Sequence, residues 1–310
     1  MIKMKNIISF FVSFIVIVVI VLNLDTIITT IRTAIFSTRE PIILEGNEWE
    51  KDYGFKFFQE SEDFKPTNYS DLVDIFYTAL DKGWDEFTFY CDVDYEECLD
   101  DVADLSYDEK LLADMNNFIH PYNSYSTIKT VYDDTGEITI KIDRLYSDEE
   151  IKKLDKDIDE LMNSYLLDAM STRDKIKTMH DVIIKNTKYD KVKAETNQSE
   201  YDSSRINGVL YDHYAICSGY TDLMAVILSK LGVKNFKIAS DEHVWNAVYL
   251  DNKWYHLDLT WDDPITSSGR DILVDTYFLI DDVKLYELSK DKESDDHSYN
   301  SKIYLEFGEK

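Results

Sequence analysis

Basic residues are scarce in this chain: 33 Lys and Arg stand against 61 Asp and Glu, for a net charge of −28. A surface this acidic repels phosphate backbones, which argues against nucleic acid as a partner. Proline (4) and glycine (9) are also rare, so a loop-only or short-repeat scaffold is excluded. Internal repeats, low-complexity tracts and cofactor-binding motifs are absent, and no cofactor is expected. Cysteine occurs only three times. Cys91 and Cys98 lie close together and could bridge outside a cell, although so short a loop limits the entropic gain. Cys217 is then the odd thiol that needs an explanation. What the chain has in quantity is apolar and aromatic surface: 44% hydrophobic residues and 22 tyrosines over 310 positions, enough for one large or two modest cores.

Residues Ile7 to Leu24 carry no charge and follow Lys3 and Lys5. At about 1.5 Å rise per residue this run predicts an uncleaved single-pass anchor with the remaining chain outside the cell membrane. Ile27, Ile28, Ile31 and Ile35 continue at helical spacing. The expected division is an anchor with its helical extension over 1–38, an α/β region over 39–167, and a catalytic domain over 168–310.

In the middle region, Leu72, Val73, Phe76, Tyr77 and Leu80 share one face and predict a helix from Tyr69, capped by Ser70. Glu86–Tyr90 alternates as a strand. An acidic helix is expected from Tyr95 to about Asn117, with a break near Ser106. Strands over 126–132 and 137–144 are joined by Asp133–Gly136. Ser147-Asp148-Glu149-Glu150 opens a further helix to about Leu167. No catalytic constellation occurs here. In the last region a helix capped by Ser171 or Thr172 carries His180, read as an ordinary core or surface residue. Thr276–Ile280 and Ile303–Phe307 read as strands, and His297 as a solvated loop residue.

The chemistry concentrates between Tyr211 and Pro264. Tyr220, Leu223, Met224, Ile227, Leu228 and Leu231 mark a buried helix with Cys217 in its first turn, where unsatisfied N–H groups and the helix dipole favour a thiolate. Gly219 is expected to leave room for a substrate backbone. Asp251-Asn252 is a two-residue hairpin turn, so Leu250 faces Lys253, Tyr249 faces Trp254, Ala247 faces His256, Trp245 faces Asp258 and His243 faces Thr260. Alternation then places His243, Trp245, His256 and Asp258 on one face. A carboxylate beside an imidazole fixes its tautomer, and a thiol docked against the pair completes a nucleophile, base and orienter. A zinc site built from Cys217, His243, His256 and Asp258 fits this order less well.

Ile-Cys-Ser-Gly-Tyr (216–220), His-Val-Trp-Asn (243–246) and Trp-Tyr-His-Leu-Asp-Leu-Thr-Trp-Asp-Asp-Pro (254–264) together resemble the three blocks of the bacterial transglutaminase-like superfamily. Val244 departs from the Ala that many relatives carry. The resemblance covers about 171–264. It implies an α+β, papain-like core in which a helix bearing the Cys packs on an antiparallel sheet. It implies Cys217 as nucleophile, His243 as base and Asp258 as orienter of acyl transfer or hydrolysis at a protein or peptide amide of the cell envelope, through a thioester. The Cys217 N–H is one expected oxyanion donor; Tyr211, Tyr214 and Trp245 are candidates for a second, and His256 is a site neighbour. The alternative is a relative that keeps the fold as a catalytically inactive binding module at the cell surface.

Overall fold

The computed structural model describes residues 14, 17–24, 26, 27, 30, 58–61, 63–132, 136–265, 272–290 and 296–307. Among these residues no helix is long and apolar enough to cross a membrane. This corrects the expected anchor over 7–24, and with it the single-pass topology, the membrane partner and the extracellular placement. The described part of that stretch, residues 14 and 17–24, is helical apart from a turn at Asn23. Residues 7–13, 15 and 16 lie outside the described residues, as does most of the expected helical extension.

Helix α1 (Tyr69–Asp81) is capped by Asn68 rather than Ser70, its side chain accepting from the Asp71 N–H. Strand β1 (Glu86–Tyr90) follows, then α2 (Cys98–Tyr107) and α3 (Glu109–Asn116). The expected acidic helix is divided at Asp108, whose carboxylate leaves the first helix to cap the second at the Leu111 N–H. Strands β2 (Tyr125–Tyr132) and β3 (Glu137–Arg144) complete an antiparallel sheet of order β1-β3-β2. Cys91 and Cys98 form a disulfide at the entrance to α2.

Helix α4 (Asp148–Tyr165) opens on a complete capping box between Ser147 and Glu150. Helix α5 (Thr172–Asn186) is capped by Ser171. Short strand β4 (Lys188–Tyr189) leads into α6 (Lys191–Thr196), and β4 pairs in parallel with β5 (Tyr214–Ala215). Helix α7 (Cys217–Lys230) then precedes strands β6 (Asn235–Ala239), β7 (Val244–Leu250) and β8 (Lys253–Leu257), an antiparallel sheet in chain order. Helix α8 (Asp282–Ser289) is the last long element.

The β6–β8 sheet is covered on both faces. Phe236, Ile238, Trp245 and Ala247 join a core with Phe76, Leu80, Phe118 and Tyr304. Val248, Leu257 and Leu259 join a second core with Leu223, Ile227 and Ile183. Helix α7 therefore packs on the sheet face opposite Trp245 and His256. The expected strand over 276–280 is reduced to a single bridge between His256 and Ile280. Leu279 adopts a left-handed φ of 48°, and the Tyr277 N–H is taken by Asp262 Oδ1 at 2.9 Å, which removes a ladder donor. The expected edge strand near 303–307 is instead a turn and a short 3-10 helix, tied down by Tyr304.

Glu150 also receives Arg205, with Nη2 to Oε1 at 2.9 Å, which joins α4 to the loop before α7. The Ser147 N–H bond leads the causes that lower its carboxyl to about 2, against partial burial. A depressed carboxyl stabilises the fold above its unfolded value of about 4.3 and loses that contribution as pH falls through the folded value. The stability gap between wild type and Glu150→Gln should therefore be largest near neutrality and shrink between about pH 5 and pH 2. Urea titrations at several pH values measure it; a gap that widens on acidification contradicts this account.

Candidate functional site

Helix α7 is registered on the sheet by polar contacts rather than by its apolar stripe alone. Thr221 Oγ1 donates to the Val244 carbonyl at 3.0 Å, and Asn246 Nδ2 donates to the Thr221 carbonyl at 3.0 Å. Lys237 Nζ meets Asp222 Oδ1 at 3.0 Å inside the core. Cys217 lies one turn before Thr221, so this registration carries it to the start of β7, beside His243. Cys217 is a free, half-buried thiol, near enough to His243 to act on the charge of its imidazole. Gly219 does not open onto a substrate channel. A Cβ there would stand 2.5 Å from the Ser203 carbonyl oxygen, so its missing side chain admits the chain's own backbone.

The hairpin register follows the count from the turn: Leu250 opposes Lys253, Tyr249 opposes Trp254, and Ala247 opposes His256. Both turn residues, Asp251 and Asn252, have positive φ (53° and 62°), as a type I′ hairpin requires. The ladder ends at Asn246 opposite Leu257, before the pairs expected for Trp245 with Asp258 and for His243 with Thr260. His243 stands just before β7 and Asp258 just after β8, in a turn closed by the Asp262 N–H on the Asp258 carbonyl.

His243 Nε2 and Asp258 Oδ2 are 2.7 Å apart, and both residues are buried. The same Oδ2 is 2.8 Å from His297 Nε2. Asp258 Oδ1 accepts the Trp261 N–H at 3.1 Å, which orients the carboxylate. The His297 ring stacks on Tyr277 (4.9 Å, 14°) and meets Trp245 edge-on (5.0 Å, 71°). His297 is thus a buried member of the site and not a solvated loop residue. Its short run, Asp-Asp-His-Ser, carries no periodicity that places it here.

Burial opposes the charge on His243, but the Asp258 carboxylate outweighs it, followed by the Cys217 contact, and the imidazole is raised to about 10. Burial likewise opposes the Asp258 charge, yet the His243 imidazolium wins and holds the carboxyl well below its usual range.

The acyl-transfer triad, the thioester chemistry and the cysteine-enzyme class expected from the sequence are corrected on this geometry. Asp258 is not the orienter of one imidazole: His243, Asp258 and His297 form a closed cluster whose ligating atoms all lie within 4.8 Å of one another, a set able to hold a metal ion. The donor set also differs from the alternative drawn from the sequence, because His256 points elsewhere. Its Nδ1 accepts the Trp245 indole N–H at 3.0 Å, and its ring stacks on Phe307 (4.1 Å, 17°).

The other sequence candidates are distributed around this centre. Trp245 is fully buried, with its ring 5.7 Å from that of His243. Tyr211 is exposed and bonds Asp157 of α4 at 2.8 Å, while Lys153 covers its ring. Tyr214 stacks flat on Tyr201 at 3.9 Å. Tyr189 is a neighbour that the sequence did not mark. Burial first, and then the nearby Cys217, raises its pKa. His180 is a core residue with an assigned role: its Nε2 meets Asp262 Oδ2 at 3.1 Å, tying α5 to the turn after β8.

The sequence profile described as "Transglutaminase-like superfamily" matches residues 159–259. That span includes Cys217, His243 and Asp258 and stops before His297. Human kyphoscoliosis peptidase is 24% identical over 142 residues, covering 39% of this chain and 21% of that protein. The chain thus spans about a fifth of the length of this curated relative. A solved TGase crystal structure is similar over 47% of each chain, at 19% identity and a TM-score of 0.35.

Proposed function

We propose that residues 168–310 form a transglutaminase-like binding module that holds a basic polypeptide segment and does not turn it over, with the α/β region over 39–167 as its support. The observation that carries this reading is the sharing of Asp258 between His243 and His297, which turns a catalytic pair into a buried cluster. The ligand class follows from the resemblance to a protein named a peptidase, with its target class kept and its chemistry set aside. The net charge of −28 favours a segment rich in Lys and Arg. Half-buried Tyr189, Tyr201 and Tyr214 lie on the side of Cys217 and offer aromatic contact surface.

Fluorescence titration with Lys-rich and Glu-rich peptides tests the reading. The Lys-rich series should bind, with affinity falling as salt rises, and Tyr214→Ala should weaken it about tenfold. Cys217→Ser should leave binding intact. Release of ammonia from a glutamine peptide, or cleavage of a peptide, lost in Cys217→Ala, would overturn the proposal.

A further inference from the structure

We propose that His243, Asp258 and His297 hold a zinc(II) ion. The inference rests on reading this cluster as a binding rather than a catalytic centre, but it does not depend on the polypeptide ligand.

Two imidazoles and one carboxylate converge from three separate places: the residue before β7, the residue after β8, and the segment following α8. All three are buried. Both imidazole Nε2 atoms address the same carboxylate oxygen, at 2.7 and 2.8 Å, so the three ligating atoms already converge. Zinc bonds to nitrogen and carboxylate oxygen are about 2.0–2.2 Å, which puts neighbouring tetrahedral ligands about 3.3 Å apart. Loading therefore asks each N···O separation to open by about half an ångström.

Donor chemistry selects the metal. Calcium and magnesium take all-oxygen cages, whereas paired imidazoles suit a borderline first-row ion. The surroundings resemble those of a built metal centre. The Trp261 N–H fixes Asp258 through Oδ1, leaving Oδ2 for the ion. Tyr277 and Trp245 fix the plane of the His297 ring. His243 has its Nε2 on Asp258, and Cys217, although close to the same imidazole, does not belong to the converging set. On zinc entry each imidazole gives up its Nε2 proton, to solvent or to its own Nδ1, so that the Nε2 lone pair faces the ion, and no redox step is involved.

The test uses the full chain, stripped with a chelator and titrated with zinc alone and with cobalt(II) alone. About one equivalent of zinc should be retained after gel filtration, and cobalt(II) should give the visible band of a low-coordinate site. His297→Ala and, separately, Asp258→Asn should lower affinity about 100-fold or more, while Cys217→Ala should change it far less. X-ray absorption on zinc-loaded wild type should count two imidazole nitrogens and needs no variant to fold. Zinc that binds equally well to His297→Ala sits on the acidic surface, and the proposal fails. Retention of iron in place of zinc overturns the metal assignment. Loss of peptide binding with zinc retained sinks only the binding-module reading; the reverse result sinks only the metal site.

Discussion

Lys237→Met should destabilise the protein by about 3–5 kcal/mol, because it leaves the Asp222 carboxylate buried without its cation. The pair is dry: side-chain exposure is 5% for Lys237 and 6% for Asp222, and the two meet at 3.0 Å. Burial is the leading influence on Asp222 and raises its pKa even with Lys237 beside it. The truncated variant should therefore recover part of its stability as the medium is acidified and Asp222 takes a proton. Replacing both residues, Lys237→Met with Asp222→Leu, should cost far less than the single change, since a buried ion pair is often matched by apolar groups of similar volume. Urea unfolding of the two single variants and the double variant gives the coupling directly. A single variant within about 1 kcal/mol of wild type would show that the pair is not dry in solution. Because this pair helps set α7 on β6, the same variants should also broaden the environment of Cys217, readable as altered thiol-labelling kinetics.

Trp245→Ala should cost about 3–5 kcal/mol through the cavity left in the first core. Trp245 is fully buried, and its indole N–H donates to His256 Nδ1 at 3.0 Å. Trp245→Phe keeps most of the apolar contact and gives up that hydrogen bond, so it should cost about 1 kcal/mol beyond the smaller volume. The indole also touches the rings of His243 and His297. Both variants should therefore loosen the cluster as well as the core, with the Ala variant losing more zinc affinity than the Phe variant. Denaturation measured alongside zinc titration separates the two effects. Equal stability losses in the two variants would mean that ring volume is not what the site requires.

The two cores explain why these substitutions matter far from any surface. The β6–β8 sheet is shared between them, so a change on either face is felt at the strand ends, where the ligating side chains sit. Gly219 illustrates the same coupling from the helix side. Its bare Cα lets the Ser203 carbonyl approach, and the loop so held also carries Arg205, which reaches back to Glu150.

Local pattern determined much of what is seen. Periodicity located α1, α4, α5 and α7, and the capping residues Ser147 and Ser171 marked two of their starts. The Asp251-Asn252 turn determined the register of β7 and β8, because a two-residue loop permits only one pairing. These features depend on neighbours in sequence, which is why they could be read there. Strand β6 went unmarked because its buried residues include Asn235 and Lys237, whose polarity meets partners on α7 and in the turn before the strand. The strand expected at 276–280 did not form, because Asp262 claims a backbone donor from outside the local pattern. Alternation brought His243 near Asp258, but the β7–β8 ladder ends before those residues, and the meeting is made by the residues flanking two strand ends. His297 reaches the same carboxylate from 39 positions away. A contact of that kind has no periodic signal. Only tertiary packing, which stacks His297 on Tyr277 and against Trp245, decides that Asp258 serves two imidazoles and not one.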